Sequence, residues 1–506
     1  MRRVLLVGLA AAGLAGAPQN PPQTVLISGG TVIDGTGGPA RRADVRLRDD
    51  TIAEIAASLS PLRDERIIDA SGQTVAPGFI DMHSHADRGI GEHPEASSQV
   101  LQGITTAVVG QDGGGTMPVS DFFDEIESSH PAINFATMVG HGTVRGLALG
   151  ADYKRKATSA EVETMKALVD RGMRDGALGV SSGLEYDPGF YAETSEVVEL
   201  ARVARRYGGL YASHVRDEEN TVLDAWREAI DIGRKAGVPV EISHMKLASK
   251  PVWGKAAEGL ALLESARREG LTVMADWYPY TYWQSSLYVL IPDRDFDNRR
   301  KWEIGLDEIG GPQNVLITSY RPDTSFNGRT VAEIAAASGR DPVLLIIDMI
   351  HTAGPGIGII GTAMTEPDLE KLFAHPQILI CSDGGLTGRH PRGYGTFPRV
   401  LGKYVRDRKL VALSEAIAKM TSRSARQLGL ADRGVLAPGR KADLVVFDAA
   451  TIQDAGTPQQ PSQPPTGVRA VIVNGEPVLI DGVMTSARPG RALRRHTPAS
   501  APASRQ

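Results

Sequence analysis

The hydrophobic positions change period along the chain. From Thr24 to Ala76, short apolar runs are cut by turn residues: Thr24-Val25-Leu26-Ile27, the Gly-rich Asp34-Gly35-Thr36-Gly37-Gly38, Asp44 to Arg48, and Thr51 to Ile55. Such spacing predicts short strands. The same texture returns at Ala442 to Phe447 and Ala470 to Gly475. Together they predict one small β-sandwich domain built from both chain ends, residues 18–76 and 434–490. The Pro/Gln run between Gly456 and Gly467 predicts a loop, and the basic, small-residue stretch 491–506 a solvated, disordered tail.

The middle, residues 77–433, alternates differently. Strand-like apolar runs recur at Phe79 to His85, Thr105 to Asp112, Asn134 to His141, Gly176 to Tyr186, Leu210 to His214, Pro239 to His244, Thr272 to Tyr280 and Ile378 to Asp383. Several precede amphipathic helical patterns, such as Ser195 to Tyr207 and Thr221 to Ala236, the latter with Val222, Trp226, Ala229, Ile230 and Gly233 on one face. Eight strands alternating with helices predict an α/β fold, a (β/α)8 TIM-like barrel. The gap between Tyr280 and Ile378 is too long for one connection, which places an inserted subdomain at about 285–350, before the last barrel strand.

Candidate chemistry lies where these runs end. His83 and His85 are one residue apart, so strand alternation aims both the same way, as either a metal-binding or a hydrogen-bonded pair. The other runs end in Asp112, His141, Glu185 with Tyr186, His214, His244 and Asp383. The carboxyl ends of barrel strands form the active-site face. Several histidines and two aspartates converging there argue for a metal site, because buried polar groups without partners are destabilising. Gly179-Val180-Ser181-Ser182-Gly183 matches a serine-hydrolase pattern, but Leu184 to Gly189 follow as loop chemistry with Pro188 where that motif needs a helix. No phosphate-binding or dinucleotide fingerprint occurs in a strand-to-helix context.

Composition narrows the classes further. With 506 residues, 42% hydrophobic and 23% charged, the chain is an ordinary globular protein. A net charge of −5 with both signs mixed gives no basic field for nucleic acid. Met1-Arg2-Arg3, the apolar Val4 to Leu14 and Ala15-Gly16-Ala17 read as a signal peptide over 1–17, so the expected location is periplasmic or secreted. No later run is long enough for a membrane span. The single cysteine, Cys381, sits in Ile378-Leu379-Ile380-Cys381 and reads as a buried thiol.

Beyond these readings, Val75-Ala76-Pro77-Gly78-Phe79-Ile80-Asp81-Met82-His83-Ser84-His85 and Gly434-Val435-Leu436-Ala437-Pro438-Gly439-Arg440-Lys441-Ala442-Asp443-Leu444 resemble the amidohydrolase superfamily. Narrower matches are Gln102-Gly103-Ile104-Thr105-Thr106, Ser182 to Gly189, Ser213-His214-Val215-Arg216-Asp217-Glu218, Ile242 to Lys246, Ser382-Asp383-Gly384 and His390 to Gly402. These resemble the N-acyl-D-amino-acid deacylases (D-aminoacylases). The resemblance implies metal-dependent hydrolysis of the amide of an N-acyl-D-amino acid or a related amide, a small-molecule substrate, with one or two zinc ions.

His83 and His85 with Asp383 would line one metal position and His214 with His244 the other. Where that family carries a cysteine in Gly-Asn-Cys-Gly, this chain has Gly110-Gln111-Asp112-Gly113. Asp112 inherits the place, as a ligand able to bridge two cations or as a residue behind the ligands. Zinc would acidify a water and polarise the amide carbonyl, with Asp383 as general acid and base. Tyr186, Lys246 and Arg392 would meet the substrate carboxylate; otherwise Lys246 is a structural ion-pair partner and Arg392 a solvated residue of the loop Gly384 to Gly395. His141 either shapes an oxyanion pocket or satisfies its neighbours. Competing expectations are another amidohydrolase reaction, on a cyclic amide, dipeptide or ester, and a zinc-binding periplasmic protein that has lost catalysis.

Overall fold

The structure, a computed structural model, describes residues 23–495. The expected signal peptide and the end of the chain from residue 496 lie outside the described residues.

The two chain ends do meet. Strands Thr24–Val32, Arg41–Arg48, Thr51–Ala56, Arg66–Asp69 and Thr74–Pro77 join Leu444–Phe447, Val468–Val473, Glu476–Ile480 and Val483–Met484. All nine are bonded into one sheet rather than two separate ones, with Thr74–Pro77 antiparallel to Leu444–Phe447 at the junction. Alternation divides the junction strands between two cores. Leu444, Val446, Ala470 and Ile472 pack into the small domain's own core, while Val445, Phe447, Val471 and Val473 join the large one. Burial on both faces explains why these strands are apolar at every position instead of every second one.

Eight further strands run parallel. Phe79–Asp81, Ile104–Val109 and Asn134–Thr137 form one sheet. Val139–Gly140, Gly179–Gly183, Leu210–His214, Val240–Ile242, Val273–Trp277 and Ile378–Ile380 form a second. The third run, 134–140, belongs to both sheets and breaks only at Met138. Between the eighth strand and the first, single bonds replace a ladder: Met82 N to Ile380 O at 3.5 Å and Asp383 N to His83 O at 2.9 Å. The intervening helices follow their apolar stripes. Val222–Ala236 buries Trp226, Ala229, Ile230 and Gly233 and stops at Gly237, whose φ of 71° is accessible without a side chain.

Two boundaries differ from expectation. The insertion is a three-stranded antiparallel sheet, Tyr282–Ser286, Val315–Ser319 and Gly358–Thr362, with helices Arg299–Glu308, Val331–Ser338 and Pro342–Ala353. Its first and last strands pair from Tyr282↔Thr362, so it extends on both sides of 285–350. The stretch 491–495 is not a solvated tail. Leu493 N donates to Phe135 O (2.7 Å), Arg495 N to Gly176 O (2.8 Å), and Ala492 bridges to Phe135. Its backbone satisfies groups at the amino end of the barrel, which composition does not report. No helix among the described residues is long and apolar enough to cross a membrane.

Candidate metal centre

Beyond Asp81 the first barrel strand loses its ladder but keeps its alternation. Ser84 N donates to Val108 O (2.9 Å) on one side; on the other, His83 O accepts from Asp383 N (2.9 Å) and His85 N donates to Gly384 O (2.8 Å). The histidine pair is thereby stapled to the turn that carries Asp383. That residue has φ 48°, disfavoured for any side chain but glycine. The next turn residue back, Ser382, is held by the buried Asp81 carboxylate, which accepts from its backbone N (2.7 Å) and its hydroxyl. Burial pushes the Asp81 carboxyl up to about 7.

Asp112 also sits in the left-handed region, φ 54°, between Gly110 and Gly113 at 71° and 72°. Neither glycine can be replaced cheaply, since a Cβ would lie 2.6 Å from Met138 O and 2.8 Å from Gly183 N, respectively. Ser181, the central serine of the hydrolase-like pattern, clamps this turn: its hydroxyl donates to Gly110 O (2.5 Å) and accepts from Gly113 N (3.2 Å). Both partners are backbone groups, so Ser181 positions Asp112 instead of acting as a nucleophile.

The second histidine pair is braced by carboxylates. His214 closes Leu210–His214, with Nε2 2.8 Å from Glu185 Oε2. His244 follows Val240–Ile242 at φ 34°, its backbone N donating to Asp276 Oδ1 (2.6 Å) and its Nδ1 3.0 Å from Glu218 Oε1. The inner nitrogens, His214 Nδ1 and His244 Nε2, face each other at 3.0 Å, close enough to share a proton or to meet a common cation. Glu185 ends the fourth apolar run but carries no role in the sequence reading, and Glu218, four positions after His214, is not among the expected site residues.

Asp112 lies between the two pairs. Its Oδ1 is 3.3 Å from His83 Nε2, 3.4 Å from His244 Nε2 and 3.7 Å from His214 Nδ1, and its Oδ2 is 3.2 Å from His85 Nε2. Asp383 Oδ1 is 3.6 Å from His83 Nε2 and 3.3 Å from His85 Nε2. Tetrahedral ligands with bonds of about 2.0–2.1 Å stand about 3.4 Å apart, so these edges fit a zinc-like cation. Both ring nitrogens of His83 and Oδ1 of Asp112 are buried without a hydrogen-bond partner. Such groups call for a ligand.

The field within the site favours a dication. Burial is the largest single influence and pushes the Asp112 and Asp383 carboxyls up, but His83, His244 and His85 together outweigh it at Asp112, and Arg392 with the same histidines at Asp383, holding both well below the usual range. Burial lowers His85, yet Asp112 and Asp383 raise it to about 9; burial and Lys246 lower His244, yet Glu218, Asp383 and Asp112 raise it to about 10. Without metal, protons occupy this negative pocket.

These donors floor a cavity of about 500 Å³, which Ser285 and Tyr288 of the insertion help to roof. Tyr186, Lys246 and Arg392 line it too, with the Tyr186 ring 4.3 Å from that of His214. Lys246 Nζ is 2.5 Å from Glu218 Oε1 and 2.8 Å from His244 Nδ1, already engaged with the ligand shell. Arg392 is not a solvated loop residue: it starts helix Arg392–Arg399, buried over the Tyr278 ring, with Nη1 2.6 Å from Asp383 Oδ2. His141 does not line the cavity. It opens helix His141–Leu149 and its Nε2 lies 2.8 Å from Glu196 Oε1, the arrangement of a residue that satisfies its neighbours.

A model of the amidohydrolase family matches residues 66–272 and 318–479. The chain belongs to the amidohydrolase family. This amidohydrolase is 36% identical to the D-aminoacylase of Alcaligenes xylosoxydans xylosoxydans, over 94% of its own length and 98% of the relative's. It is 39% identical to the N-acyl-D-glutamate deacylase of the same organism, over 93% and 96%. Among solved structures, the N-acyl-D-glutamate deacylase from Bordetella bronchiseptica, complexed with zinc and a phosphonate mimic of the reaction's tetrahedral intermediate, matches with a TM-score of 0.84. That match has 37% identity and covers 93% of this chain and 99% of the other.

Proposed function

We propose that this amidohydrolase is a zinc-dependent deacylase that hydrolyses the amide bond of N-acyl-D-amino acids, releasing a carboxylate and a free D-amino acid. The observation that carries the reading is the position of Asp383, with Oδ1 among the imidazoles and Oδ2 on Arg392, at the floor of a cavity sized for a small N-acyl amino acid. The eight parallel strands are read as a closed (β/α)8 barrel around this floor, and the leader-like residues 1–17 as the signal that exports the enzyme.

A bound divalent cation supplies polarisation of the amide carbonyl and acidification of a water. His83, His85 and Asp383 would hold one position and His214 and His244 the other, and Asp112, which faces all four imidazoles, would be available to both. Asp383 accepts the proton of the attacking water and returns it to the departing amine nitrogen. Arg392 has an unpartnered buried Nε and turns toward the substrate carboxylate, beside Tyr186. Lys246 fixes His244 and Glu218 and contributes its charge to the same region.

The test is a panel of N-acetyl-D-amino acids, their L-enantiomers and cyclic amides, with metal content measured on the same preparation. Amine release is expected from D-substrates, abolished by a chelator and restored by zinc. Release from L-substrates or cyclic amides alone would overturn the assignment.

A further inference from the structure

A second cavity, of about 350 Å³, lies against the first and shares Glu219 and Val289 with it. Its wall combines an aliphatic side with a polar rim that includes Asp217, Glu219, Asp293 and Glu308. Val289, Leu290 and Ile291 come from the segment that leaves the roof of the active cavity, and Ile304 and Ile309 from the helix Arg299–Glu308 and its end. Most polar groups around it are engaged, Lys301 with Asp293 and Asn220 with Glu308 at 2.8 Å, while Glu219 at the junction of the two cavities keeps Oε2 buried without a partner. Ile304 nevertheless stays 42% exposed on this concave surface. A slot of this kind offers apolar area to a guest and few hydrogen bonds.

Its direction from the metal centre selects the guest. Arg392, the proposed partner of the substrate carboxylate, follows the eighth barrel strand, whereas the slot's Asp217, Glu219 and Asn220 follow the fifth and its Ala248 and Ser249 the sixth, three and two strands away in the sheet order. A substrate whose carboxylate lies at Arg392 and whose amide lies at the metal donors directs its acyl group away from the eighth strand, toward this slot. Resting on the deacylase reading, we infer that the slot is an acyl-chain site and that the preferred substrates are N-acyl-D-amino acids with medium-length aliphatic acyl groups rather than N-acetyl ones.

The experiment measures kcat/KM for the N-acetyl, N-butyryl, N-hexanoyl and N-octanoyl derivatives of one D-amino acid, using the zinc-loaded wild type, Ile304→Trp and Ile304→Ala. Burial of each methylene is expected to raise kcat/KM by about two- to fourfold in the wild type until the slot is filled. Filling the slot from its exposed wall with Ile304→Trp should bring the octanoyl-to-acetyl ratio toward one, and Ile304→Ala should leave that ratio well above the tryptophan variant's. A wild-type ratio at or below one, with N-acetyl turnover intact, would overturn the slot and leave the deacylase reading standing. An equally high ratio in Ile304→Trp would overturn the assignment to this cavity. Turnover of no member by metal-loaded protein would remove the deacylase reading, and the slot with it.

Discussion

The two histidine pairs reach the same centre by different routes. His83 and His85 are neighbours in sequence, are held by backbone bonds to Val108, Asp383 and Gly384, and have no carboxylate on their outer nitrogens. His214 and His244 are thirty residues apart on successive strands, and each rests its outer nitrogen on a buried glutamate, Glu185 or Glu218. The first pair is oriented by the strand itself, the second by side chains that fix ring and tautomer. Local geometry can aim two residues on one strand, but two strands need partners to hold their rings face to face.

The largest effect should come from Asp383, the carboxylate stapled to the first pair. Asp383→Asn keeps the backbone bonds that staple the first pair yet removes the proton acceptor. It is expected to lower kcat by about 10²–10⁴-fold with an unchanged circular dichroism spectrum; retained activity would remove the proton-transfer role.

A sharper probe separates the pairs. Glu218→Gln and Glu185→Gln should each weaken zinc binding by about 10–100-fold in a competition titration. Should neither variant change zinc affinity, the second pair needs no carboxylate bracing and the contrast between the routes collapses.

Acidity gives a third test. His85 and His244, raised to about 9 and about 10 in the metal-free protein, must release protons to accept a cation. Apparent zinc affinity is therefore expected to keep rising with pH to about 9, by up to about tenfold per unit for each proton displaced. A plateau near the ordinary histidine value, about 6.5, would contradict the negative field described for the site.

The smallest effect lies at the opposite end of the barrel. Lys419 is fully buried, donating to His375 O and Ile378 O, and burial pulls its ammonium down to about 7. Between about 7 and the unfolded value of about 10.5 the unfolded chain binds the extra proton, so stability should rise with pH across that window. The slope is at most about 1.4 kcal/mol per unit. Lys419→Met should flatten it in a pH series of thermal melts and leave zinc affinity unchanged; a slope that persists would assign it to other groups.

Much of this architecture is legible in the chain. Runs of apolar residues ending in His83-x-His85, Asp112, His214, His244 and Asp383 mark strands and the face on which they end, because a barrel presents its strand termini on one side. For His141, which also follows an apolar run, the sequence leaves two roles open; a helix begins at it and its ring lies against Glu196, the second of them. Arg392 looked like a loop residue because His390-Pro391-Arg392-Gly393 carries turn formers, whereas Pro391 there precedes the first turn of a helix. Ser181 matched a nucleophile pattern by composition, and only the position of Gly110 and Gly113 shows it as a clamp.

By itself, then, the sequence determined the strand and helix periods, the meeting of the two β-rich ends and the candidate donors, since periodicity and residue chemistry are local properties. Tertiary structure decided which candidate donors come together, through a positive-φ turn at each of Asp112, His244 and Asp383 and the carboxylates beside His214 and His244. It also docked 491–495 against the barrel and roofed the cavity with the insertion. Those outcomes depend on distances of a few ångströms between segments hundreds of residues apart, and no local pattern encodes such distances.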